Sequence, residues 1–179
     1  MGSDDCQFRD ISITVLDEFH DAVCDSWLEG VCRTVLEQEG VCQAVSLVIA
    51  DDKTVRSLNS EYRGLDETTD VLSFAFDNEG QYYGESDAPS EWSADDEFVL
   101  PPGESAGLGE VIVSYPQAVR QAEAAGHSVR QELAHLIAHG ILHLMGHDHM
   151  EDEEERAMNG RVRRVMERLA GADIDLRDG

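Results

Sequence analysis

The sequence predicts an α+β fold: a small mixed four-stranded sheet packed with about five helices. Three observations lead there. Short β-branched runs recur through the first part of the chain. Apolar residues at helical spacing separate those runs and then dominate the C-terminal part. The 179 residues are 41% apolar, enough for one core and too much for wholesale disorder. No apolar run is long enough to cross a membrane, so no membrane association is expected.

The elements follow in order. Residues 11–16 (Ile-Ser-Ile-Thr-Val-Leu) alternate and are β-branched, as a strand requires. Residues 21–39 place Ala22, Val23, Trp27, Val31, Val35 and Leu36 at helical spacing, and Gly40 offers a left-handed C-cap. Residues 43–50 read as a second, more buried strand. Asp51 and Asp52 open a short helix through about Tyr62, with acids where the helix dipole favours them. Residues 70–76 (Asp-Val-Leu-Ser-Phe-Ala-Phe) make a third strand and residues 108–114 a fourth. Between them, residues 77–106 hold nine acidic residues, no Lys or Arg, and three of the four prolines. That composition predicts an acidic loop inserted in a single domain spanning residues 1–179. Helices are expected over about 116–125, 128–145 and 151–170. The last carries Met158, Val162, Val165, Met166 and Leu169 as its apolar stripe and stops at Gly171.

The net charge is −25, with Lys53 the only lysine beside twelve arginines. So acidic a chain repels polyanions at long range, which taken alone argues against nucleic acid as a partner. The hypothesis adopted is a surface suited to a salty cytoplasm that screens the repulsion; the alternative is simple solubilisation. The last helix gathers Arg156, Arg161, Arg163, Arg164 and Arg168, with Glu153, Glu154, Glu155 and Glu167 as expected partners on a solvated face. Contact with RNA phosphates or a ribosomal protein is the competing reading. The N-terminus is acidic with no apolar stretch behind it, so a cytoplasmic location is expected. Cys6, Cys24, Cys32 and Cys42 form no CxxC pair, and no disulfide framework is expected. Cys24 and Cys32 lie within a helical pattern and should pack as small apolar residues.

The chemistry concentrates in His139-Gly-Ile-Leu-His143-Leu-Met-Gly146-His147-Asp-His149. His139 and His143 are four apart, so both rings project from one helix face and can share a tetrahedral metal. Gly146 can end the helix in a left-handed turn, and the reversed chain can bring His149 over the same face. Three nitrogens with a fourth position open to water are the pattern of a catalytic zinc centre. Zinc is the default, with nickel, cobalt or copper as alternatives. His135, one turn before His139, reads as a packing or outer hydrogen-bonding group. His147 reads as exposed, and Asp148 as a cap of the following helix. Gly140 stands where zinc proteases carry a glutamate base, so it argues against peptide cleavage. Its missing side chain lets either substrate or a neighbouring strand approach the helix.

This histidine string resembles the signature of the YbeY family, bacterial endoribonucleases of ribosomal RNA maturation. Residues 59–76, with Asn59-x-x-Tyr62-Arg63 and Thr69-Asp-Val-Leu-Ser-Phe74, resemble a second family segment, and residues 108–114 a third. The resemblance covers roughly residues 41–150. It departs at Thr68, where the family usually has proline, and in the length of the acidic loop. It implies a zinc-dependent endoribonuclease acting on single-stranded RNA at the end of the small-subunit ribosomal RNA, linked to ribosome quality control. The implied partners are ribosomal RNA and ribosome or small-subunit proteins, with no DNA expected. It places the metal on His139, His143 and His149, with His139 also counted as catalytic, and a functional arginine at Arg63. Arg63 is then expected to stabilise charge developing on phosphorus. Asp70, Glu132 and Asp148 are candidates for the general base by charge alone. The competing functions are a metallopeptidase and a non-catalytic zinc module that binds the ribosome.

Overall fold

A computed structural model of the chain describes residues 11–75, 107–147 and 152–171. Its elements are β1 (Ile11–Val15), α1 (Asp25–Glu39), β2 (Val45–Ala50), α2 (Asp52–Arg63), β3 (Val71–Ala75), β4 (Gly109–Ser114), α3 (Tyr115–Ala125), α4 (Val129–Leu144) and α5 (Asp152–Gly171). The predicted α+β class holds. The four strands form one sheet in the order β1-β2-β4-β3. β1, β2 and β4 run parallel, while β3 pairs antiparallel with β4, with Ser73 opposite Val111 and Val71 opposite Val113. The sheet is therefore mixed, as expected. The acidic stretch 77–106 lies outside the described residues.

Alternation along the strands gives the sheet two apolar faces. Leu47 and Ile49 of β2 and Val111 and Val113 of β4 join a large core built with α1, α4 and α5. Leu72 of β3 and Ile112 of β4 point the other way and pack with Val55 and Leu58 of α2. Helix α4 is the most enclosed of the helices, with Leu133, Ile137, Ile141 and Leu142 fully buried. That enclosure explains why its sequence shows little helical polarity: nearly every side meets protein.

Local chemistry sets the boundaries. The Asp51 carboxylate accepts from Thr54 N at 2.7 Å and caps α2, which the sequence anticipated. Ser114 and Ser128 cap α3 and α4 in the same way. Gly40 adopts the left-handed conformation after α1, as predicted. One boundary is corrected: α1 begins at Asp25, not at residue 21. Residues 17–19 make a 3-10 turn, and Val23 N bonds Phe19 O at 3.2 Å, so Ala22 and Val23 belong to that turn. Cys24 consequently stands exposed at the helix N-cap, while Cys32 packs in the core as expected. Cys42 is disulfide-bonded, against the expectation of free thiols.

Candidate metal centre

The histidine helix is positioned by an unusually close approach to the sheet. A Cβ built on Gly140 would lie 2.6 Å from Val111 Cγ1, 3.1 Å from Val71 Cγ2 and 3.2 Å from Ser73 Oγ. Of the two visitors the sequence allowed for, substrate or strand, the neighbour is β3 and β4. The Ser73 hydroxyl donates to the Gly140 carbonyl at 3.0 Å, a buried bond that pins the turn between the two histidines to the edge strand. Sequence reasoning missed Ser73. Its signal was a polar residue at an inward position of β3, in step with Val71.

On the flank of that contact His139 and His143 converge. Their Nε2 atoms are 2.9 Å apart, and the ring centroids stand 4.5 Å apart at 77°. Two nitrogens bound to one tetrahedral zinc would stand about 3.3 Å apart, so a shift of a few tenths of an ångström fits the pair to a metal. Both rings are half-buried, which limits competition from bulk water. His135 is exposed and lies nearly parallel to His139, with centroids 6.4 Å apart. It lies beside the pair, one turn earlier on the same helix. Beyond the pair, Gly146 takes φ 83° and His147 N bonds Leu142 O at 3.2 Å, closing α4 with the predicted left-handed stop. His149 and Asp148 lie outside the described residues, and among the described residues no third ligating side chain joins the pair.

The other sequence candidates are placed as follows. Arg63 ends α2 and is half-buried, followed by Gly64 in the left-handed conformation. Its helix covers the face of the sheet opposite to α4, and both helices touch β3. Asp70 is committed elsewhere: its carboxylate accepts from Val71 N at 2.8 Å and from Gln121 Nε2 at 3.1 Å. Glu132 lies two turns before His139, about 10 Å along the helix axis, and pairs with His127 Nε2 at 3.0 Å. Both carboxylates thus already have partners. His147 is not the exposed side chain expected from the sequence. It is two-thirds enclosed, and its imidazole is held below the usual value by burial first and then by Arg161, against the opposing pull of Glu39. Of the α5 arginines, Arg161 and Arg168 pair with Glu39 and Glu37 of α1, not with glutamates of their own helix.

Comparison with known proteins supplies the remaining findings. The family model described as endoribonuclease YbeY matches residues 11–170. An endoribonuclease YbeY of Desulforamulus reducens is 43% identical over 144 residues, covering 79% of this chain and 84% of the relative. One from Dehalococcoides mccartyi is 42% identical over 151 residues, covering 83% and 86%. One from Geobacillus thermodenitrificans is 38% identical over 163 residues, covering 89% and 96%. A solution structure of a Thermotoga maritima protein shares the fold, with a TM-score of 0.55 and 23% identity over 89% of this chain and 90% of that one.

Proposed function

The chain belongs to the YbeY endoribonuclease family, and from that premise we propose that it is a zinc-dependent endoribonuclease of ribosomal RNA maturation. Its substrate is single-stranded RNA near the 3′ end of the small-subunit ribosomal RNA, and its working partners are the ribosome or small-subunit proteins. A place in ribosome quality control is part of the same reading, as is action in the cytoplasm.

The observation that carries the metal half of the proposal is the convergence of His139 and His143, with Nε2 atoms 2.9 Å apart. His149 is the third ligand by sequence: it follows the left-handed turn at Gly146 by three residues. These residues fit a zinc ion with one position left open. Zinc held there supplies Lewis acidity toward a phosphoryl oxygen and acidifies water.

The remaining roles fall to the chain itself. Arg63 neutralises charge developing on the non-bridging phosphate oxygens, a task suited to a planar, permanently charged fork. Gly140 keeps α4 against β3 and β4, and so fixes where the imidazoles stand relative to the sheet. The same contact disfavours peptide cleavage, because position 140 faces the strands and leaves no room for a glutamate base.

The test is cleavage of a single-stranded precursor ribosomal RNA by the purified protein, beside a chelated sample, His139→Ala and Arg63→Ala. Cleavage is expected in the untreated wild type and is lost on chelation and in His139→Ala, which also loses zinc. Arg63→Ala is expected to cut the rate at least ten-fold, in the range of removing one preorganised charge-stabilising donor, about 10²-fold, and to keep its zinc. Cleavage that persists in the chelated sample would sink the metal-dependent mechanism.

A further inference from the structure

Acidic residues outnumber Lys and Arg by 38 to 13 in this chain, yet residues 156–168 of α5 hold five arginines and one acid, Glu167. With acids in such excess, an unpaired arginine is unusual. Arg33, Arg56 and Arg120 pair with Glu29, Asp66 and Asp52, and Arg161 and Arg168 reach across to α1. Arg130 lies over the Trp27 ring at 5.7 Å. Arg156, Arg163 and Arg164 are exposed, and among the described residues none of the three meets an acid. Glu167 stands four positions after Arg163, the spacing of a helix ion pair, but among the described residues the two do not pair. The solvated face of Glu–Arg pairs expected from the sequence is not what this stretch of α5 carries.

The three arginines share one face. At about 100° per residue, Arg156, Arg163 and Arg164 fall within an arc of about 100°, and Gly160 lies inside it. The buried stripe of Met158, Val162, Val165 and Leu169 is on the opposite side of the helix. The arginines therefore point away from the core and into solvent. Gly160 keeps the strip between them low: a Cβ built there would meet no atom within 4 Å. Bare helix backbone at that point lets a ligand lie close. From Arg156 to Arg164 the strip runs about 12 Å along the helix axis. Charges recur about every 3.4 Å along a stacked nucleic-acid strand, so the strip faces several phosphates in succession.

We propose that the outward face of α5, formed by Arg156, Arg163 and Arg164, is a binding surface for the phosphate backbone of RNA, separate from the metal ligands. The inference rests on the RNA-cleaving reading given above and adds a docking surface to it. Guanidinium groups suit the task, because a permanently charged planar fork matches two phosphate oxygens at once. Contacts of this kind are independent of base sequence, so the face supplies affinity and no chemistry. The charge of −25 repels RNA at long range, and a local cluster of uncompensated arginines gives the strand one place to settle.

The experiment measures the affinity of the full chain for a labelled single-stranded 2′-O-methyl RNA by fluorescence anisotropy over a range of salt. Integrity of the RNA is checked on a gel and folded content by circular dichroism. The samples are wild type, a triple variant combining Arg156→Gln, Arg163→Gln and Arg164→Gln, and the matching triple variant with Lys at the same positions. A fourth sample, Lys53→Gln with Arg120→Gln, removes basic charge on α2 and α3 instead. Each phosphate contact adds about 0.7 to the salt slope for a single strand, so the Gln variant should bind about 100-fold more weakly than wild type at about 0.1 M salt and equally at about 1 M. Repulsion by the acidic remainder of the chain is common to both proteins and drops out of their ratio. The Lys variant keeps its charge and should stay near wild type, as should Lys53→Gln with Arg120→Gln. In cleavage of precursor ribosomal RNA the Gln variant should raise KM and keep kcat. Wild-type affinity in the Gln variant would overturn the proposal and leave an acidic protein surface as the partner of this face. A comparable loss in Lys53→Gln with Arg120→Gln would also overturn it, since net charge and not the face would then be responsible. A wild type that neither binds nor cleaves RNA would instead overturn the RNA reading itself.

Discussion

At the scale of single residues, environment separates groups of identical chemistry. Cys24 and Cys32 are eight positions apart and differ completely. Burial pushes the Cys32 thiol up to about 12, so it stays protonated and inert in the native protein. Cys24 is exposed, and its thiol is shifted down, first by the Ser26 hydroxyl 3.0 Å away. Brief alkylation at pH 8 should therefore modify Cys24 and spare Cys32 until denaturant is added, with peptide mass spectrometry as the readout. Equal labelling of the two in the native state would contradict the buried placement. The histidines divide in the same manner. His139 and His143 face one another, His135 faces solvent, His127 pairs with Glu132 and His147 turns toward Glu39. Only the spacing of the first pair was readable as a shared site from the sequence.

Between elements, two contacts hold the frame of the site. The first is the approach of α4 to the strands at Gly140. Gly140→Ala places a methyl 2.6 Å from Val111 Cγ1, inside van der Waals contact. Overpacking of this kind costs about 1–3 kcal/mol, so the midpoint in urea should fall by an amount of that order. The helix must also move away from β3, and activity should drop further than the folded fraction does. The second contact ties α2 to the start of α3. Asp52 Oδ1 accepts from Arg120 Nη2 at 2.9 Å and from Ser114 Oγ at 2.8 Å. The Arg120 bond is the main cause that holds the Asp52 carboxyl below its ordinary value of 3.8, with Ser114 assisting. A depressed folded value adds stability above pH 3.8, and that stability is lost as pH falls through the folded value. In Asp52→Asn the melting temperature should be lower near neutral pH and should fall less steeply than that of wild type in the acid range. Parallel pH profiles for the two proteins would count against the contact.

For the whole molecule the dominant property is its charge of −25. Self-repulsion among 38 acidic residues opposes compaction, and salt screens it over about 10 Å at 0.1 M. Both the melting temperature and RNA cleavage should therefore rise between low and molar salt. No change in either would leave solubilisation as the better account of the acidity. The same scale shows what the sequence determined. It set the strands and helices to within a few residues, because their alternation, caps and glycine stops are local. It also pointed to His139 and His143, because a spacing of four on one helix face needs no tertiary information. What the sequence left undecided is every contact between distant segments. That β3 pairs antiparallel beside β4, that Gly140 faces strand and not substrate, and that Ser73 pins the histidine turn depend on packing across 30 to 70 positions. The placement of Glu39 depends on even longer separations, since its partner Arg161 lies 122 residues away. Periodicity reports which side of an element is apolar, but only the assembled core decides which polar group on another element meets it.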